Sequence, residues 1–131
     1  MYAASKKFTK YYKEILADFG LTYSQYIVLL ALYEQDGLAV KELGEKLELD
    51  SGTLTPLLKR LETAGWLERQ RSIKDERIMH VYLTEEAQEK EHEIAQVINE
   101  CVSTVLYDED EYKMLVSLSK KLNELLTNKL K

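Results

Sequence analysis

The chain has 131 residues, 45% of them hydrophobic and 31% charged, with a formal net charge of −5, the profile of one soluble globular domain (1–131) large enough for a core. No apolar run approaches the roughly 18–20 residues needed to span a bilayer, and the start, MYAASKKFTKYYKE, lacks the apolar stretch and cleavage site of a signal peptide. One cysteine, Cys101, excludes an internal disulfide, so a cytoplasmic home is expected.

Residues 2–19 are predicted helical. Phe8, Tyr11, Tyr12, Ile15, Leu16 and Phe19 form a wide apolar face, and Lys6, Lys7, Lys10 and Lys13 lie outside it as a solvated face. Gly20, free to take positive φ, should end the helix. Thr22 and Gln25 fit a Thr-x-x-Gln capping box that opens a second helix, to about Gln35. Tyr26, Ile27, Leu29, Leu30, Leu32 and Tyr33 make that helix apolar nearly all round, which predicts a central, buried position. Asp36-Gly37 is a turn, and Leu38-Ala39 is placed to form a one-bridge strand.

A short helix follows at Val40–Leu47, with Val40, Leu43 and Leu47 inward, and then the three-residue link Glu48-Leu49-Asp50. In the next stretch, DSGTLTPLLKRLE, the leucines 54, 57, 58 and 61 fall on one helical face, leaving Thr53, Thr55, Lys59 and Arg60 outside it. Asp50 or Ser51 supplies the N-cap oxygen. Pro56 sits inside this helix, where it removes a hydrogen bond and ordinarily bends the rod, yet the leucine spacing continues past it. Gly65 stops the helix. A strand at Leu67–Arg71, a polar tip at Ser72–Glu76 and a second strand at Arg77–Leu83 complete the order of a winged helix-turn-helix.

Charge is unevenly spread. Residues 53–83 hold Lys59, Arg60, Arg69, Arg71, Lys74 and Arg77 against Glu62, Glu68, Asp75 and Glu76, a local +2, while residues 84–112 carry −9. Local sign at the contact face governs phosphate affinity, so the acidic total does not exclude DNA. Four cations in the hairpin, Arg69, Arg71, Lys74 and Arg77, beside a hydroxyl-and-cation helix point to double-stranded DNA as the partner.

Thr84-Glu85-Glu86 caps a predicted 23-residue helix reaching Leu106, with Ala87, Ile94, Ile98, Cys101 and Val105 inward and Val97 and Val102 beside them. Cys101 reads as a buried small hydrophobe. Asp108 opens a last helix whose acidic start, Asp108 to Glu111, suits the helix dipole. That helix carries Tyr112, Leu115, Leu118, Leu122, Leu125, Leu126 and Leu130. These stripes exceed what one monomer covers and predict a homodimer with two recognition helices about one DNA turn apart. The fold class expected is mainly α with a small β-wing: a winged helix-turn-helix lobe at 22–83, flanked by helices at 2–19 and 84–131, the latter carrying the dimerisation stripes. His80 and His92 stand alone, without partners at metal spacing. No Gly-rich phosphate loop and no nucleophilic set is present, so neither an enzyme nor a cofactor is expected.

LGEKL-ELDSGTLTPLLKRLE followed by RSIKDERIMHVYLTEE resembles the MarR family, specifically its organic-hydroperoxide-sensing, OhrR-type branch, over essentially the whole chain. The resemblance implies a dimeric repressor on a pseudo-palindromic operator, with the helices at 2–19 and 84–131 as dimerisation helices. By position it sets Ser51, Thr53, Thr55, Pro56 and Lys59 on or near the major groove and Arg77 in the minor groove, with Asp75 bracing the wing. It also implies that Tyr2, Tyr12 and Tyr23 match tyrosines holding a sensor thiolate, whose cysteine falls just before residue 1. The inducer implied is an organic hydroperoxide; a small aromatic ligand, and a protein-interaction module without DNA, are the competing expectations.

Overall fold

The computed structural model describes all of residues 1–131. Its elements run α1 (Tyr2–Leu16), α2 (Tyr23–Glu34), α3 (Val40–Leu47), α4 (Ser51–Thr63), β1 (Leu67–Arg71), β2 (Met79–Leu83), α5 (Glu85–Ser103) and α6 (Glu109–Lys129). A 3-10 turn, Ala17–Phe19, finishes α1, and Gly20 follows at φ 70°, the left-handed conformation expected of a helix stop. This is the mainly α fold with a two-stranded wing. No single helix is long and apolar enough to cross a membrane.

The chain falls into two compact units, Met1–Ala95 and Gln96–Lys131. The first closes around Leu16, Leu29, Leu32, Leu43, Leu54, Leu58, Leu61, Leu67, Val81 and Ile94, each 1% exposed or less. Local chemistry sets its helix starts. Thr22 Oγ1 accepts from the Gln25 amide at 3.2 Å while Gln25 Oε1 accepts from the Thr22 amide at 3.0 Å, the reciprocal capping box. Asp50, not Ser51, caps α4: its Oδ1 accepts from the Thr53 amide at 2.8 Å. Between α3 and α4 the chain reverses through Glu48, at φ 55°. There the Leu49 amide donates to Gly44 O at 2.9 Å, and a Cβ on Gly44 would stand 3.0 Å from the Leu49 carbonyl. A glycine therefore permits the tight link.

Five expectations are corrected. Leu30 lies 41% exposed, so α2 is not buried all round. The second strand begins at Met79 rather than Arg77, because the tip is a chain of turns: Ser72 N donates to Ile78 O at 2.8 Å, and Ile78 N to Asp75 O at 3.0 Å. Helix α5 has 19 residues and stops at Ser103, not Leu106. Its end tightens into i→i+3 bonds, with Thr104 N on Cys101 O at 3.3 Å and Val105 N on Val102 O at 3.0 Å. Val105 is consequently 60% exposed, and Cys101 is half-buried rather than buried.

In the second unit, Asp108 Oδ1 accepts from the Glu111 amide at 3.1 Å and starts α6 where expected. No residue of α6 is buried.

Candidate nucleic-acid interface

Helix α4 divides sharply by face. Leu54, Leu57, Leu58 and Leu61 are buried, while Ser51, Thr53, Pro56, Lys59 and Arg60 are exposed and Thr55 is half-buried. The helix runs unbroken through Pro56. Short hydroxyls and two cations thus project from one rigid rod, a surface able to bond base edges and phosphates.

The wing lies beside it. Strands β1 and β2 pair antiparallel from Leu67↔Leu83 to Arg71↔Met79. The segment before α3 joins as the expected third edge, through the Ala39↔His80 bridge. Val81 N donates to Leu38 O at 2.9 Å, Leu83 N donates to Asp36 Oδ1 at 2.9 Å, and His80 Nδ1 lies 2.9 Å from Gly37 O. His80 is therefore occupied by the fold, and no group of three or more potential ligands stands together for a metal.

At the tip, Ser72 Oγ accepts from the Lys74 and Asp75 amides at 3.2 and 3.3 Å. Asp75 Oδ1 accepts from Arg77 N at 3.1 Å and from Nε at 3.0 Å, and Oδ2 accepts from Nη2 at 3.1 Å. Hydrogen bonds from Arg77 hold the Asp75 carboxyl below its ordinary range and raise the guanidinium in turn. The Arg77 side chain nevertheless remains 90% exposed. It is a cation held in one orientation and open to solvent. Arg71 Nη1 donates to Glu76 O at 2.9 Å, closing the base of the tip. Lys74 is exposed.

Arg69 differs from its neighbours. Its Nε and Nη2 donate to Glu62 Oε1 at 3.1 and 2.9 Å, and its backbone amide donates to Glu62 Oε2 at 3.0 Å. Only 23% of its side chain is exposed, so the hairpin presents three open cations rather than four. Glu62 was missed from sequence because it sat among the acids subtracted from a charge balance. Its signal was a carboxylate at the end of a hydroxyl-and-cation helix, with an arginine just past the glycine turn.

Of the three tyrosines singled out, two meet. Tyr12 and Tyr23 stand 5.4 Å apart edge to face, with Phe8 4.8 Å and Tyr26 6.1 Å from Tyr12. Burial pushes the Tyr23 phenol up. Tyr2 is 80% exposed and lines a shallow groove along α1 with Ser5, Lys6 and Thr9; the structure does not bring it to the other two.

The sequence profile of the transcriptional regulators SarA/Rot matches residues 10–94. The chain belongs to the SarA/Rot family of transcriptional regulators. This family member is 51% identical, over 86 residues and 66% of its length, to the organic hydroperoxide resistance transcriptional regulator of Bacillus subtilis. It spans about half the length of curated relatives it matches: 58% of that regulator and 44% of the HTH-type transcriptional regulator TtmR of Methylorubrum extorquens. Among solved structures it is similar to AbfR of Staphylococcus epidermidis. The reduced, DNA-bound form of AbfR superposes with a TM-score of 0.82 at 37% identity, covering 95% of this chain and 88% of that one. The disulfide form gives 0.73 at 39%, covering 88% and 85%. A MarR transcriptional regulator of Methanosarcina mazei gives 0.81 at 25%, covering 94% and 91%. The winged helix of this SarA/Rot member is thus of the MarR type, as the motifs implied, and the relatives bear out its kinship with the OhrR-type regulators.

Proposed function

We propose that this chain is the DNA-reading core of a homodimeric repressor of an organic-peroxide response. The observation that carries the reading is the open hydroxyl-and-cation face of α4 beside a wing whose Arg77 is braced yet 90% exposed. Helix α4 enters the major groove, where Ser51, Thr53 and Thr55 bond to base edges or phosphates, Pro56 packs on the groove wall and Lys59 and Arg60 meet phosphates. Arg71 and Lys74 hold the flanking backbone. Arg77 enters the minor groove, whose negative potential suits a guanidinium, and Asp75 keeps it from losing rotamer freedom on binding. AbfR, solved on DNA, is similar over 95% of this chain and supports the reading. A second copy covering the leucines of α6 would set two α4 helices one turn apart on a pseudo-palindrome.

For the inducer, the Bacillus subtilis relative is by name an organic hydroperoxide resistance regulator, and AbfR has been solved both reduced on DNA and with a disulfide formed. We read the switch as oxidation of a cysteine near the first helix by the hydroperoxide, which leaves as its alcohol, to a sulfenic acid, or onward by condensation with a small-molecule thiol and loss of water to a mixed disulfide, relayed through the aromatic cluster of Phe8, Tyr12, Tyr23 and Tyr26. Within residues 1–131 the sole thiol is Cys101, which lies on α5. A second reading, release by a small aromatic ligand, draws on a cavity of about 140 Å³ lined by Tyr26, Leu30, Tyr33, Glu91 and Ile94. That volume suits a benzene-sized group.

Arg77→Ala tests the DNA contact. It should weaken binding to a duplex selected by the wild-type protein by about 1–3 kcal/mol, read by fluorescence anisotropy; unchanged affinity would remove Arg77 from the interface. Adding an alkyl hydroperoxide to DNA complexes of this chain and of a chain extended upstream separates the inducers. Release of the extended form alone supports thiol sensing, and release of neither favours the ligand.

A further inference from the structure

We infer that Glu62 and Arg69 form a positioning clasp that fixes the angle between α4 and the wing, so that groove reading by the helix and by Arg77 occurs together. The inference rests on the DNA-binding reading and specifies how that interface is set. Glu62 stands in the last turn of α4 and Arg69 in the middle of β1, with the Gly65 turn between them. One carboxylate takes three donors: the Arg69 backbone amide at 3.0 Å, Nε at 3.1 Å and Nη2 at 2.9 Å. The amide bond positions the strand itself, and the guanidinium pair fixes its rotation about the helix end. A charge-assisted set of this kind is stronger and more directional than neutral bonds, and it forms at a partly exposed site, with 36% of the Glu62 and 23% of the Arg69 side chain open to solvent. Hydrogen bonds from Arg69 lower the Glu62 carboxyl below its ordinary value, in keeping with an ionised partner.

Arg69 and Arg77 therefore divide the work. Arg77 braces within its own turn and stays open to a ligand; Arg69 is committed across elements and supplies geometry. Glu62 is then an acid whose loss should harm binding to an anion. That sign separates the two roles. If Glu62 were only a negative charge near the interface, removing it would tighten DNA binding; if Arg69 were a phosphate contact, removing it would lower the salt slope by about one.

The test uses a duplex selected by the wild-type protein from a random pool, a scrambled duplex of equal length, and the variants Glu62→Ala, Glu62→Gln and Arg69→Ala. Glu62→Ala is expected to weaken the selected duplex about tenfold, as for coupled network residues, and to leave the scrambled duplex unchanged or tighter. Arg69→Ala should match that loss with an unchanged salt slope, and Glu62→Gln, which keeps the shape and can still accept, should fall between. In the free protein, ¹⁵N relaxation should show residues 69–79 more mobile in Glu62→Ala and Arg69→Ala while the helices stay ordered. Tighter or equal selected-duplex binding by Glu62→Ala, a reduced salt slope in Arg69→Ala, or a wing as ordered as in wild type would each overturn the clasp. Should the wild type select no duplex, the DNA reading falls, and the relaxation of residues 69–79 alone decides the clasp.

Discussion

In α4, Leu54, Leu57, Leu58 and Leu61 are all buried, whereas in α6 Leu115, Leu118, Leu125 and Leu126 stand 48–58% exposed. Both helices carry leucines at helical spacing and both open on an aspartate cap, Asp50 and Asp108. The difference lies in the surroundings. Helix α4 sits within a unit where α2, α3 and β1 supply apolar neighbours, while the unit Gln96–Lys131 contains only the end of α5 beside α6. Periodicity tells which side of a helix repels water; it does not tell whether the same chain owns anything to put there.

The largest break in that contrast should come from Leu61→Ala. Leu61 is fully buried, and its truncation should cost about 2–5 kcal/mol by denaturant unfolding; a loss below about 1 kcal/mol would mean that the lobe is loosely packed. The matching change in α6 is Leu118→Glu with Leu125→Glu. If a second copy covers those leucines, carboxylates there meet an apolar face, and sedimentation should show self-association weakened by about tenfold or more, with the melting of the lobe unmoved. An oligomeric state indifferent to both charges would dissolve the proposed homodimer face.

The smallest effect sharpens the boundary of the covered core. Tyr33 donates its hydroxyl to Ala87 O at 2.6 Å, tying α2 to α5. Burial, then the Glu91 carboxylate, then Tyr26 push its phenol up from 10.0 to about 12. A raised pKa means that the folded state holds the proton more tightly. The associated stability is complete below pH about 10 and is lost as pH climbs toward about 12. Tyr33→Phe should cost about 0.5–1.5 kcal/mol at neutral pH and flatten that alkaline decline, as followed by thermal melts across the interval. A variant declining as steeply as wild type would place the titration elsewhere.

Much of the lobe was legible because its signals are local. Thr22 and Gln25 cap a helix with their own atoms, and Asp50 does so at α4. Four leucines at helical spacing carried α4 through Pro56, since one lost hydrogen bond does not outweigh an apolar face already committed to the core. Even the Leu38-Ala39 edge followed from an extended pair placed after a turn. Where α5 ends was less legible, because Thr104 bonding back to Cys101 competes with a hydrophobic pattern that runs on to Leu106.

The amino-acid order by itself determined where the helices begin, which face of α4 is apolar, and that hydroxyls and cations gather on α4 and the wing, since each depends on neighbours within about one turn. Tertiary structure alone decided that Arg69 turns inward to Glu62 while Arg77 stays open, that Tyr2 parts from Tyr12 and Tyr23, and that the leucines of α4 are covered while those of α6 are not. The physical reason is that a side chain's role follows from which partners reach it, and those partners arrive from elsewhere in the fold or, on our proposal, from another copy of the chain.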